Sequence, residues 1–197
     1  MKDALVIVAH PDDETIWMGG AILRNKNWNW TIISLCRADD ENRMPKFKKV
    51  CEAYGAEAII SDLDDEKLNS ISVNKLTKKI NTLLPKNNYD VIFTHGENGE
   101  YGHIRHIEIH KAVNKMIKDK ELKCKKIYYF SYIPGALSAP HDSELKIPVP
   151  NMKSDYILML NNNEFKRKFS LITELYGFKH PIFETLSCNN VESFISI

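Results

Sequence analysis

Five consecutive apolar residues, Leu5-Val6-Ile7-Val8-Ala9, open the patterned part of the chain. Such a run is the signature of a strand buried on both faces of a parallel sheet. It stops at His10-Pro11. Proline disfavours helical geometry in the residue before it, so His10 is predicted to end the strand extended. Pro11 has no N–H and a preset φ, which suits the first turn of a helix. Asp12, Asp13 and Glu14 follow, where carboxylates complement the positive end of a helix dipole. One imidazole and three carboxyl groups thus share a strand-to-helix turn. Acids that close repel one another unless a positive charge lies among them, and a divalent cation is the expected one.

The pattern continues with a helix over 15–24, which contains Gly19-Gly20. Each glycine costs a helix about 1 kcal/mol, so the pair suggests a close backbone approach to the sheet, the weaker alternative being that it merely shortens the helix. A strand is predicted over 30–36, followed by a solvated acidic loop over 38–42. The spacing of Phe47, Val50, Cys51 and Tyr54 predicts a helix over 44–54 that Gly55 stops. A strand over 56–61, an acidic loop over 62–66, a helix over 73–84 closed by Pro85, and a strand over 90–94 come next. This alternation predicts an α/β domain with a mostly parallel sheet. No Gly-x-Gly-x-x-Gly follows the first strand, so a dinucleotide site has no support. Beyond residue 125 the pattern predicts a strand over 126–132 and an irregular flap or pocket wall over 134–150, with four prolines and a glycine. A last strand over 156–160 and a terminal helix over 163–176 complete the reading.

The strand over 90–94 leads into a second cluster, His95-Gly96-Glu97-Asn98-Gly99-Glu100-Tyr101-Gly102-His103-Ile104-Arg105-His106. In open parallel sheets, ligands collect at the carboxyl ends of strands. His10 and this cluster both leave such ends and belong on one rim. A helix starting near His103 turns Ile109, Val113, Met116 and Ile117 to the core, which puts His106 on the same inward face. His110, one turn deeper, reads as a solvated or core-edge histidine, His141 and His180 as structural histidines, and Arg105 as an arginine on a solvated helix face.

Composition narrows the classes. With 197 residues, the chain is read as one domain spanning 1–197, and 43% hydrophobic and 27% charged residues are those of a soluble globular protein. A net charge of +1 gives no field that draws nucleic acid or anionic lipid. The first residues form neither a secretory signal nor a membrane span. Cys36, Cys51, Cys124 and Cys188 are dispersed, so reduced thiols and a cytoplasmic setting are expected.

A catalytic zinc site has three protein ligands and an open position for water. His10, one of the two neighbouring aspartates and one histidine of the later helix make that set. The other aspartate is free to take a proton from a water whose pKa zinc lowers to about 7. A second histidine can stabilise an oxyanion or protonate a leaving group. These parts describe hydrolysis of an amide or ester.

The sequence also resembles the PIG-L/LmbE-like zinc deacetylases, which remove acetyl groups from N-acetylglucosamine derivatives. The resemblance is carried by Ala9-His10-Pro11-Asp12-Asp13-Glu14 and Tyr101-Gly102-His103-x-x-His106. It continues through Arg43, Ala53-Tyr54-Gly55, Asp155-Tyr156-Ile157 and Glu192-Ser193-Phe194. It implies a Rossmann-like α/β fold, a zinc ion (or another divalent metal) on His10, Asp13 and His106, and Asp12 as general base. It further implies that His103 assists the intermediate or leaving amine, that Tyr101 polarises the carbonyl, and that Arg43 meets the substrate. Three departures stand out: Arg105 replaces an aspartate of the family pattern, Lys46 an acid, and Thr173-Glu174-Leu175-Tyr176 a His-x-Ser-Gln. The expected partner is a small N-acetylated sugar or sugar conjugate, with no nucleic acid and no membrane span. Another small amide or ester substrate, or a non-catalytic metal- or sugar-binding module, is the competing reading, and an oligomer is compatible with the sequence.

Overall fold

The computed structural model describes residues 1–196. Strand β1 (Asp3–Val8) is central, and from Ala4 to Ala9 every residue is fully buried. Helix α1 (Asp13–Arg24), β2 (Asn29–Ser34), α2 (Arg43–Tyr54), β3 (Glu57–Ile60), α3 (Val73–Leu83) and β4 (Asn88–Thr94) follow in the predicted alternation. A helical turn α4 (Gly99–Gly102), helix α5 (Ile104–Lys118) and β5 (Lys123–Phe130) complete a five-stranded parallel core. The sheet order is β3-β2-β1-β4-β5-β9-β8, where β8 is Tyr156–Met159 and β9 is Val191–Ser196. The last two strands pair antiparallel. This is a Rossmann-like α/β sheet whose order reverses between β1 and β4, the switch point beyond which ligands bind.

Side chains alternate across β1 into two cores. Ala4, Val6 and Val8 pack with Ile16, Trp17 and Ile22 of α1 and with Phe47 and Val50 of α2. Leu5 and Ile7 pack on the other face with Leu76 and Ile80 of α3 and with Ile109, Val113 and Met116 of α5. Gly55 caps α2 in the left-handed conformation (φ 70°), as its position predicts. A Cβ on Gly20 would stand 2.3 Å from Leu160 Cδ2, so the close approach exists. Its partner is Leu160, just beyond β8, and the sheet meets the same turn through Glu192 of β9, which accepts the Gly20 N–H at 2.7 Å.

Three expectations are corrected. The stretch over 134–150 is not irregular: β6 (Tyr132–Ala139) and β7 (Asp142–Pro150) form a separate antiparallel hairpin. The strand over 156–160 is not the last, because β9 inserts between β5 and β8. The terminal helix α6 (Asn162–Ser170) runs into a π-helical turn over Leu171–Leu175 and is followed by α7 (Phe183–Ser187). No helix among the described residues is long and apolar enough to cross a membrane.

Candidate metal centre and active site

His10 leaves the end of β1, and Pro11 turns the chain so abruptly that Asp12 takes φ 112°, ψ −30°. A non-glycine residue there costs on the order of 1–3 kcal/mol, a price met where the surroundings over-determine it. Here Glu14 Oε2 accepts the Asp12 N–H at 3.0 Å, and Asp13 Oδ2 accepts the His10 N–H at 2.8 Å. Trp17, one turn along α1, donates its indole N–H to Asp13 Oδ1 at 2.9 Å. The turn therefore holds Asp13 by both oxygens.

From α5, His106 reaches the same point. His106 Nε2 lies 3.4 Å from Asp13 Oδ2 and 3.2 Å from His10 Nδ1, and His10 Nδ1 lies 3.3 Å from Asp13 Oδ2. Three ligand-type atoms form a nearly equilateral triangle. Tetrahedral zinc with bonds of about 2.0–2.1 Å requires ligand–ligand edges of about 3.3–3.4 Å. The donor set and its spacing fit a zinc-sized divalent cation.

The neighbouring carboxylates orient these donors. Glu100, fully buried and itself at φ 60°, receives His106 Nδ1 at 2.6 Å and His95 Nδ1 at 2.7 Å on one oxygen, and accepts the Gly96 N–H at 2.7 Å on the other. His95 Nε2 accepts the Ala9 N–H at 2.9 Å, so His95 carries its proton on Nδ1 and is committed. His106, with its Nδ1 proton on Glu100, turns a lone pair on Nε2 toward the triangle. This carboxylate–histidine arrangement fixes a ligand tautomer. Burial disfavours the Glu100 charge, but His95 and His106 outweigh it and hold the carboxyl down at about 2.

Burial also works against a charged His10, yet Asp13 and Asp65 raise its pKa to about 10. Asp13 is held well below the carboxylate range: burial opposes this, and the histidines 106, 10 and 95 outweigh it. Asp12 goes the other way. Burial drives its pKa well up, against the pull of Arg43, whose Nη1 donates to Asp12 Oδ2 at 2.6 Å. Two adjacent aspartates are thus driven apart, one toward permanent charge and one toward proton exchange.

His103 caps α5, its Nδ1 accepting the Arg105 N–H at 3.3 Å, and its ring stands 4.8 Å from those of His10 and His106. Burial, with His106 and His10 close by, lowers its pKa to about 3, leaving a neutral ring. Tyr101 packs edge-on to His103 and His106. A cavity of about 190 Å³ is lined by His10, Asp12, Asp13, Arg43, Tyr101 and His103, with Arg37, Phe183 and Glu184 among the rest of its wall. All seven predicted site residues therefore meet: six line the cavity, and His106 lies beneath it.

Two readings of the motifs are corrected. Glu14 does not join the cluster. It turns into the core, accepts from Thr15 and Tyr176 hydroxyls at 2.6 and 2.8 Å, and burial raises its pKa to about 7. Arg105 is not solvated but fully buried. Glu100, His95, Asp65, Arg37 and Glu184 join the site beyond the residues that the sequence selects. For Glu100 and His95 a signal existed, since His95 ends β4 as His10 ends β1, and Glu100 lies inside the same cluster.

The family model for PIG-L, described as GlcNAc-PI de-N-acetylase, matches residues 5–117 and so contains the whole triangle. The chain belongs to the PIG-L family. An uncharacterized protein, L374, of Acanthamoeba polyphaga mimivirus is 28% identical over 145 residues, 66% of this chain and 62% of that one. The match thus spans about three fifths of that relative. The N,N′-diacetylchitobiose deacetylase of Pyrococcus horikoshii has a similar structure, with a TM-score of 0.67, 16% identity, and coverage of 100% of this chain and 84% of that one. So has GalB, the 4-carboxy-2-hydroxymuconate hydratase of Pseudomonas putida KT2440, with a TM-score of 0.65, 15% identity, and coverage of 100% and 96%. One fold carries a deacetylase and a hydratase, so likeness at this identity speaks for the fold, and the reaction must be argued from the site.

Proposed function

We propose that this PIG-L family protein is a zinc-dependent hydrolase that removes the N-acetyl group from an N-acetylglucosamine-type sugar or sugar conjugate. The observation that carries the reading is the triangle of His10 Nδ1, Asp13 Oδ2 and His106 Nε2, with edges of 3.2–3.4 Å, beside an Asp12 of raised pKa. A divalent cation held by His10, Asp13 and His106 would polarise a carbonyl and make a water acidic. Asp12 takes the proton of the attacking water, as a carboxyl of raised pKa is suited to do. As the C–O bond forms, the carbonyl oxygen gathers charge. His103, whose proton sits on Nε2 because Nδ1 is an acceptor, and the Tyr101 hydroxyl are the donors for it. The C–N bond then breaks, and Asp12 returns its proton to the nitrogen, leaving a free amine and acetic acid, which ionises to acetate in solution. Arg43 holds Asp12 in place and borders the entrance with Glu184 at 3.8 Å. The cavity is smaller than the roughly 300–1,000 Å³ that engulfs a drug-sized ligand, so it takes the acylated end and leaves the remainder of the substrate outside.

The test uses zinc content, zinc affinity and amine release from a panel of N-acetylated sugars, nucleotide sugars and sugar lipids. Asp13→Asn and His106→Ala should lose metal and activity together. Asp12→Asn should keep its zinc and lose kcat by about 10²- to 10⁴-fold. His110→Ala should retain both, because His110 Nδ1 donates to the His95 carbonyl and Asn114 occupies its Nε2. A metal-free Asp12→Asn beside a zinc-loaded Asp13→Asn would refute the division of roles.

A further inference from the structure

The buried Arg105 has a task. It sits on α5 between the two histidines of the site, and its side chain turns away from them toward the loop that joins β3 to α3. Arg105 Nε donates to the Asp64 carbonyl at 2.7 Å, and Nη1 donates to the Asn69 carbonyl at 2.9 Å and to Glu108 Oε2 at 2.7 Å. Glu108, one turn further along α5, accepts the Ile71 N–H at 2.7 Å and the Ser70 hydroxyl at 3.0 Å on its other oxygen. Four points of the loop are therefore pinned by one arginine–glutamate pair.

What the loop presents is Asp65, whose side chain is 7% exposed. Asp65 Oδ2 lies 3.0 Å from His10 Nε2, itself buried without a hydrogen-bond partner, so the contact is one of charge, and Oδ2 accepts from Arg37 Nη2 at 2.9 Å. Asp65 Oδ1 is buried without a hydrogen-bond partner and lies 3.9 Å from His103 Nε2. That nitrogen carries a proton, because His103 Nδ1 accepts from Arg105 N. One carboxylate thus addresses two site histidines, an oxygen each, on the side opposite the ligand triangle.

We infer that Asp65 is a positioning residue that orients His10 and His103, and that the Arg105–Glu108 pair sets its place. The inference rests on the metal reading above. It makes α5 the common frame of the site: the helix supplies His103 and His106 directly and sets the orientation of His10 through the loop it clamps.

Zinc affinity, measured without substrate by competition with a chromophoric chelator, tests this. Partners behind a metal ligand are typically worth 10–100-fold in affinity, so Asp65→Asn should weaken zinc by that factor and Arg105→Ala by at least threefold. Because both act through one carboxylate, the double variant should bind within twofold of Asp65→Asn alone. Arg105→Lys, which keeps the charge and part of the clamp, should lie between wild type and Arg105→Ala, and it serves where the alanine variant does not fold. Losses that multiply in the double variant would overturn the inference. So would wild-type affinity in Asp65→Asn and Arg105→Ala despite lowered melting temperatures, which would leave the metal reading intact. A wild-type protein that takes up no zinc would overturn both.

Discussion

Glu100→Gln is an isosteric change with a large expected effect. The carboxylate accepts on both oxygens, from two imidazole N–H groups on Oε2 and from a backbone N–H on Oε1. An amide offers one oxygen and one NH₂. With the NH₂ toward Gly96 it meets the backbone N–H, donor against donor. With the NH₂ toward the histidines, at least one Nδ1 must give up its proton. His95 is not free to do so, since moving its proton to Nε2 would set it against the Ala9 N–H. His106 is free, and its proton would then sit on Nε2, where the cation binds. An unsatisfied buried donor costs about 1–3 kcal/mol, or about 2–12 °C of melting temperature at the 2–4 °C per kcal/mol of a chain this size. Zinc affinity should fall 10–100-fold, about 1.4–2.7 kcal/mol. Chelator competition and thermal unfolding of the metal-stripped protein read the two effects separately. A folded variant that binds zinc within twofold of wild type would show that Glu100 does not set the His106 tautomer.

Two further outcomes concern stability. Lys168 Nζ and Glu192 Oε1 form a fully buried pair at 2.8 Å, and Glu192 also accepts the Gly20 and Ala21 N–H groups of α1 at 2.7 and 2.8 Å. Lys168→Met leaves that charge uncompensated and should cost about 3–5 kcal/mol in denaturant unfolding; a loss below 1 kcal/mol would contradict the clamp. The pKa of Glu14, raised from 4.5 to about 7, means that the folded state keeps a proton the unfolded chain releases. Its contribution is fully present below pH 4.5 and is lost as pH rises through about 7, roughly 3 kcal/mol in all. Glu14→Gln should therefore narrow the stability gap between pH 5 and pH 8 by about 2.5 kcal/mol, whatever its absolute stability, and parallel profiles for the two proteins would refute it.

What could be read from the sequence follows a physical rule. The parallel core was legible because strands buried on both faces are continuous apolar runs, as Leu5 to Ala9 are. The hairpin of β6 and β7 was not, since Pro134, Pro148 and Pro150 look like breaks. In a two-stranded sheet each strand has a free edge on which a missing N–H costs nothing, and Pro134 even pairs with Pro148. Strand β9 escaped for a different reason. Its Glu192 and Ser193 are polar residues at fully buried positions, satisfied by Lys168 and the backbone of α1 for the one and by the backbone at Ser131 and Asn151 for the other. A hydrophobic pattern has no way to register them.

The site divides along the same line. His10, Asp12 and Asp13 share one turn, so local geometry forces them together wherever that turn forms. His106 follows from the inward face of α5, and its meeting with His10 from the adjacency of β1 and β4. Asp65 carries no comparable mark. It lies 55 residues from His10 and 28 from Arg37, in a stretch whose acids look equally solvated, and only the pinning by Arg105 and Glu108 selects it. Arginine is seldom fully buried unless paired, so Arg105 on a helix face reads as solvent-facing until the loop folds over it. The residues that bind are thus written in local order, whereas those that orient them arise only when distant segments close around the site.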